Sequence, residues 1–211
     1  MAADHRTTTD PSDPRPAGVG SGGDAKADLR RRYRACREQA DAGRAIAAAA
    51  ATALAPLVRP GLHVGLYWPI GGEPDLRPLA RPLTAAGGLL ALPAVSSGHM
   101  RYRPWQPGDT LSPDDCGIAA PPPAATPTGA LAAADLGLLL APALALDRRG
   151  IRLGYGGGWF DRLRAEPAWR SVPALAVLPE RCLLEVLPAD PWDVPFDGWL
   201  DERGLHWLQA V

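Results

Sequence analysis

The stretch Gly150-Ile151-Arg152-Leu153-Gly154-Tyr155-Gly156-Gly157-Gly158-Trp159-Phe160-Asp161-Arg162 decides how the rest of the chain is read. Three consecutive glycines stand between Arg152 and Asp161, shortly after the apolar run Leu136 to Ala145. Residues without a Cβ take positive φ freely and let several backbone N–H groups approach a ligand. A helix starting just beyond adds a dipole that favours an anion at the same place. Phosphate is the expected guest. The spacing matches neither G-x-x-x-x-G-K-[ST] nor G-x-G-x-x-G, because no Lys-Ser/Thr follows and Trp159 sits where the last glycine of the dinucleotide fingerprint belongs. A tight connection without a ligand is the plain alternative, and the flanking Arg152 and Asp161 tip the reading towards phosphate.

Working outward, Leu136 to Ala141 is a continuous apolar run of strand length, suited to a strand buried on both faces, and it reaches the glycines through Asp147 to Gly150. Beyond them the pattern predicts a helix from Asp161 to about Ala165, then a second buried strand from Pro173 to Leu178. Strand, helix and strand in this order predict an α/β fold: a three-layer αβα, Rossmann-like arrangement with a mostly parallel sheet and helices on both faces. Leu62 to Trp68 reads as a further strand, and the turn Pro69-Ile70-Gly71-Gly72 delivers Glu73 just past its carboxyl end. Ligands of open α/β sheets bind at that edge, so Glu73 is a candidate substrate contact. A first-turn charge for a helix over Leu76 to Ala86 explains it equally well. Leu89 to Val95 and Met100 to Trp105 read as strands around Ser96-Ser97-Gly98, with His99 a turn or edge residue. Residues 106 to 130, heavy in Pro, Gly, Asp and Thr, predict a long connection with little structure of its own.

Residues 1–24 hold almost no large apolar side chains, which predicts a disordered tail before a single domain over 25–211. From Ala25 a helix is expected, with Leu29, Tyr33, Cys36 and Ala40 on its apolar stripe and Lys26, Arg30, Arg34 and Arg37 beside it. A solvated face accounts for Arg31, Arg32, Arg34 and Arg37. Lys26 and Arg30, one turn apart at the start, could instead lean over a bound polyphosphate. Ala42 to Val58 predicts a second helix, stopped by Pro60-Gly61. Near the C-terminus Asp190 and Asp193 precede, and Asp197 falls within, an expected final strand, Val194 to Leu200. With Asp161 brought close, two or three of these acids could hold magnesium, which wants hard oxygen ligands; turn and edge-strand positions are the alternative.

Composition narrows the function classes. A chain of 211 residues, 46% hydrophobic and 21% charged, can bury a sizeable core. A net charge of -1 and a pI near 6.4 supply no basic field for nucleic acid. No apolar run approaches the roughly 20 residues that span a bilayer, and no basic-then-apolar leader is visible, so a cytoplasmic protein without a membrane partner is expected. A monomer is the expectation for its assembly, which no sequence feature decides. Cys36, Cys116 and Cys182 are odd in number and scattered, which predicts reduced thiols. His5, His63, His99 and His206 lack metal-ligand spacing, which argues against zinc.

Several segments together resemble one family, the 5-formyltetrahydrofolate cyclo-ligases, also called methenyltetrahydrofolate synthetases. Lys26-Ala-Asp-Leu29-Arg30 is similar to the family's K-x-x-L-R helix. Pro69-Ile-Gly-Gly-Glu73-Pro74-Asp75 and Met100-Arg-Tyr102 match two further segments. The longest match, Pro142 to Arg162, resembles P-x-L-A-F-D-x-x-G-x-R-L-G-Y-G-G-G-Y-Y-D-R nearly position for position, and Leu187-Pro188 through Asp193 and Asp197 resembles the closing acidic segment. The resemblance implies ATP-dependent closure of 5-formyltetrahydrofolate to 5,10-methenyltetrahydrofolate, with release of ADP and phosphate. It further implies that Lys26 and Arg30 contact ATP phosphates and that Arg152 with Leu153, Gly154, Tyr155, Gly156, Gly157, Gly158, Trp159 and Phe160 cradles them. Lys26 and Arg152 would serve the chemistry, and Asp161 with Asp193 would position Mg2+. Glu73 would hydrogen-bond the folate, with Trp68, Tyr155, Trp159 and the glycines Gly156 to Gly158 lining its pocket. Departures from the pattern are Trp159 and Phe160 for the usual tyrosines, Ala120 for a common Glu, Trp192 for a common His and Asp201 for a common Thr. Two other classes remain to be told apart: a non-catalytic folate- or nucleotide-binding relative, and a nicotinamide-dependent reductase. The reductase needs an acid at the end of the next strand, where Leu178-Pro179-Glu180 stands at the wrong spacing.

Overall fold

The computed structural model describes residues 22–38, 42–123 and 129–208. The tail expected over 1–24 lies outside these residues except for Gly22 to Asp24, which form the first turn of helix α1 (Gly22–Glu38). Helix α2 follows (Gly43–Leu54). It is Ala-rich, and Ile46, Ala47, Ala50 and Leu54 recur on one buried stripe at helical spacing. The predicted end at Val58 is approached through a 3-10 turn, Ala55–Leu57, with a proline near its start.

Strand β1 (His63–Gly65) is shorter than its predicted run, with β2 (Leu89–Ser96) and β3 (His99–Pro104) following helix α3 (Ala80–Ala85). A two-residue ladder, β4 (Ser112–Pro113) with β5 (Ala119–Ala120), is the small structure found in the long connection. Then come β6 (Leu136–Pro142), β7 (Ala145–Asp147), β8 (Arg152–Leu153), α4 (Trp159–Ala165), α5 (Pro167–Arg170), β9 (Ala174–Val177) and β10 (Leu183–Leu184). The hairpin β11 (Gly198–Asp201) and β12 (Gly204–Trp207) closes the described chain; β12 was not foreseen, and the predicted strand start at Val194 falls in a loop.

The seven-stranded sheet runs β12-β11-β9-β6-β1-β2-β3. Its interior pairs are parallel, and the outer pairs β2/β3 and β11/β12 are antiparallel. Alternation along the strands builds both cores at once, because successive side chains point to opposite faces. Leu139, Ala141, Ala174 and Ala176 enter one buried cluster with Tyr33, Leu163 and Trp169, so α1, α4 and α5 cover that face. Leu138, Leu140, Leu175 and Val177 enter the other with Ile46, Leu54 and Leu83 of α2 and α3. Each buried leucine contributes about 2 kcal/mol of transfer free energy, which fixes the register of the central strands. A small sheet, β10-β7-β8, sits beside the α1 face and carries the glycine stretch.

Candidate functional site

The glycine stretch is held by one buried carboxylate. Asp147 is 1% exposed at the end of β7, and its Oδ1 accepts from the N–H groups of Arg149 and Ile151, both at 2.9 Å. Its Oδ2 accepts from Arg149 at 2.6 Å and from the Leu187 N–H at 2.9 Å, which ties the turn to the C-terminal segment. Gly150 is needed in this turn for two reasons. Its φ is +82°, and a Cβ would press into the Phe196 carbonyl, whose own N–H donates to Gly150 O at 2.9 Å. The chain then returns as β8 and bends outward: Tyr155, Gly156 and Gly157 are exposed, with Gly156 at φ +107° and Gly158 at φ +64° just before α4. The bend is open to solvent. Helix α4 has only seven residues, so its dipole is weak and the charge for an anion must come from side chains.

Three cations converge there. Arg152 is buried; its guanidinium donates to Pro142 O at 3.0 Å, at the carboxyl end of β6, and lies 5.0 Å from the Phe160 ring and 5.4 Å from that of Phe196. Asp161 stands 3.8 Å from it. Burial lowers the Arg152 pKa, while the charges of Asp161, Glu73 and Asp193 oppose the shift. Arg152 Nε has no hydrogen-bond partner among the described residues, so donor capacity remains in the guanidinium. Arg30 of α1 donates from Nε to Gly154 O at 3.1 Å and packs over Gly156. Lys26 reaches Asp190 and Asp193, each at 2.6 Å. Burial disfavours its ammonium, yet the hydrogen bonds and charges of the two aspartates outweigh this and raise its pKa. The first helix, the glycine bend and the acidic segment therefore meet around one point at the carboxyl edge of the sheet, where open α/β sheets bind ligands.

The Glu73 side forms a second half. Its carboxylate accepts from the Ile70 N–H at 3.0 Å and faces Arg37 at 3.7 Å, both side chains nearly inaccessible. Burial pushes the Glu73 carboxyl up to about 7, against the Ile70 N–H, Arg37 and Arg152. Arg37 also donates to Gly71 O and to the Tyr155 hydroxyl. This corrects the sequence reading, which placed Arg37 on a solvated face: the side chain is 1% exposed. The signal missed is positional, since Arg37 falls next to Cys36 and one turn after Tyr33, at the edge of the apolar stripe. Asp190 is a second residue not assigned beforehand as a partner of Lys26.

The remaining candidates are placed as follows. Leu153 is buried, so only its backbone can meet a ligand. Phe160 turns inward under Arg152. Trp159 is half-buried beneath Arg162 at 4.3 Å, and Trp68 packs on the α2-side core with Arg77 over its ring at 4.6 Å. Asp193 already accepts from Lys26 and, at 2.8 Å, from the Asp190 N–H. Among the described residues no group of three or more His, Cys, Asp or Glu side chains could hold a metal ion unaided, and no helix is long and apolar enough to cross a membrane.

The model of the 5-formyltetrahydrofolate cyclo-ligase family matches residues 23–201, far more than half of the chain. The chain belongs to this family. It is 34% identical over 152 residues to the 5-formyltetrahydrofolate cyclo-ligase of Mycolicibacterium smegmatis, covering 69% of this chain and 76% of that relative. Identity to the Escherichia coli cyclo-ligase is 29% over 135 residues, 63% of this chain and 73% of the relative. The solution structure of Aquifex aeolicus 5,10-methenyltetrahydrofolate synthetase superimposes with a TM-score of 0.67 at 26% identity, over 88% of this chain and 94% of that one. The Mycoplasma pneumoniae synthetase has the same fold at a TM-score of 0.64 and 19% identity, covering 84% and 98%. Of the departures from the cyclo-ligase family pattern, Asp201 is buried in β11, where it accepts from Trp199 at 2.9 Å and pairs with His206 at 3.0 Å. Ala120 is buried in β5, whereas Trp192 is exposed on the segment between Asp190 and Asp193.

Proposed function

We propose that this member of the family is an ATP-dependent 5-formyltetrahydrofolate cyclo-ligase acting through phosphorylation of the formyl oxygen. The observation that carries the reading is the contact of Arg30 with the open glycine bend beside buried Arg152, while Lys26 of the same helix grips Asp193, whose charge also acts on Arg152. A formamide oxygen is a poor leaving group. In the proposed course that oxygen attacks the γ-phosphorus and ADP departs. Nitrogen 10 then attacks the activated carbon, loses its proton, and the C–O bond breaks to release phosphate. Phosphoryl transfer of this kind asks a protein chiefly for positioning and neutralisation of charge. Arg152 and Arg30 would neutralise the phosphates beside the backbone of Gly154 to Gly158, and Lys26 would turn from its aspartates to the triphosphate. Glu73 would accept hydrogen bonds from the folate ring, with Trp68, Tyr155 and Trp159 along its path.

Magnesium fits this site as a partner of the nucleotide, since it uses one or two carboxylates and otherwise keeps phosphate oxygens and waters. Asp161 keeps 19% of its side chain exposed and lies beyond hydrogen-bond length from Arg152, which suits direct contact with the ion. Asp193 is committed to Lys26 and would contribute as that bridge loosens. When bound, the ion would neutralise charge on the nucleotide phosphates.

The test follows absorbance of the methenyl product against ATP and magnesium. Arg152→Ala and Asp161→Asn should each lower turnover by at least about 100-fold, the scale of losing a transition-state charge contact. Near-normal rates in either variant remove that residue from its role, and tight folate binding with no ATP-dependent product refutes the catalytic reading altogether.

A further inference from the structure

A guanidinium held nearly out of solvent at the end of α1 is costly unless several acceptors face it. Arg37 has acceptors from two separate segments: Glu73 and the Gly71 carbonyl in the Pro69–Glu73 turn, and the Tyr155 hydroxyl in the glycine bend. Its guanidinium also lies 5.1 Å from the centre of the Tyr155 ring, while Arg34 lies at 5.3 Å from the same ring near the surface. Gly71 faces the junction directly, since a Cβ there would come within 3.3 Å of the Tyr155 hydroxyl and 3.8 Å of Arg37. A planar fork can serve a carboxylate, a carbonyl and a hydroxyl together; a lysine, with one point of charge, cannot.

We propose that Arg37 is the positioning residue for the folate half of the site, setting Glu73 and Tyr155 at one fixed spacing and joining the turn to the glycine bend. The proposal rests on the reading that Glu73 and Tyr155 face folate. It gives α1 two tasks: Lys26 and Arg30 near its start serve the nucleotide side, and Arg37 near its end serves the other. Arg37 has a second effect, on ionisation. The groups facing the Glu73 carboxyl are Arg37 from α1, Arg152 from β8, the Ile70 N–H from its own turn, and Tyr67 from the flanking chain. With burial already pushing the carboxyl up to about 7, removal of the Arg37 charge leaves Glu73 protonated at neutral pH. A protonated carboxyl is a poorer acceptor for the N–H groups of a pterin ring.

The experiment measures KM separately for 5-formyltetrahydrofolate and for ATP, and kcat/KM from pH 5.5 to 9, in the full-length protein and in Arg37→Gln, Arg37→Lys, Tyr155→Phe and Glu73→Gln. Arg37→Gln should raise the folate KM by roughly 10- to 100-fold, as expected for losing hydrogen bonds to a charged group, with the ATP KM changed less than about threefold. The acid limb of kcat/KM should move to higher pH by about a unit. Arg37→Lys should restore the limb more fully than the KM, because it returns the charge without the fork. Tyr155 is partly exposed, so Tyr155→Phe keeps the test open should Arg37→Gln fail to fold. It should raise the folate KM roughly three- to tenfold in the native background and add little in Arg37→Lys. Equal rises in both KM values, or an unmoved limb, overturn the proposal. If Glu73→Gln leaves the folate KM unchanged, the folate assignment of Glu73 itself fails. If Glu73→Gln raises it while Arg37→Gln does not, only the role given to Arg37 falls.

Discussion

Replacing Lys26 with Met keeps the aliphatic stem and removes the ammonium that joins α1 to the C-terminal acidic segment. The side chains of Lys26 and Asp193 are both 12% exposed, and Asp190 is 32% exposed. Breaking a fully buried pair from one side costs about 3–5 kcal/mol, and a surface pair about 0–1 kcal/mol. The first pair lies towards the buried end and the second towards the surface, so Lys26→Met should destabilise by roughly 2–3 kcal/mol, a fall of roughly 5–10 °C in Tm for a chain of this size. The pKa of Lys26 is raised above its ordinary 10.5, so its contribution is fully present below pH 10.5 and is lost only as the pH climbs beyond that. The deficit should therefore be constant between pH 7 and 9. Chemical denaturation of the native protein, Lys26→Met, Asp193→Asn and the double variant closes a cycle whose coupling should exceed about 0.5 kcal/mol. A Lys26→Met cost below that figure, or additive effects in the cycle, refutes the tether.

Glu73 makes stability depend on pH in the same sense, in a lower window. The folded protein holds its proton up to about pH 7 while the unfolded chain releases it near 4.5, so this contribution is intact at acid pH and fades as the pH rises through 7. Between pH 4.5 and 8 the native protein should lose up to about 3 kcal/mol relative to Glu73→Gln, measured by urea denaturation at both ends; parallel curves refute the assignment. Gly150→Ala should cost roughly 2–4 kcal/mol, because it combines positive φ with pressure on the Phe196 carbonyl; a variant within 0.5 kcal/mol of native in the same assay would show that the turn can relax. Arg152→Lys should fold yet recover little of the turnover lost in Arg152→Ala, since one ammonium cannot replace a fork that holds Pro142 O and still offers Nε; full recovery in the product assay would reduce Arg152 to a simple charge.

The parallel core was legible because strands buried on both faces leave uninterrupted apolar runs. Leu136 to Ala141 and Pro173 to Leu178 fall on β6 and β9 almost to the residue. The hairpin of β2 and β3 was equally plain, because Ser97-Gly98 marks its turn, with Ser97 at φ +50° and Gly98 at +77°. β12 was missed because Gly204 to Trp207 is short, half-buried and mixed in polarity, so neither alternation nor a run announces it. Arg37 was misread for a physical reason. A helix pattern reports which positions face inward, but an arginine can follow the apolar stripe inward when another segment brings a carboxylate to meet it. That meeting is set by the Pro69–Glu73 turn, whose path no local pattern encodes. The pairing of Lys26 with Asp190 was hidden for the same reason.

The bridge from Lys26 to Asp193 spans 167 residues, and the contact of Arg30 with Gly154 spans 124. A polypeptide growing on the ribosome thus displays its basic helix well before its glycine bend, and the acids that neutralise Lys26 emerge later still. Loop closure over such distances is slow relative to helix formation. Until it is complete the Lys26 ammonium stays uncompensated, and any product truncated before Asp190 would keep that charge without its acid partners.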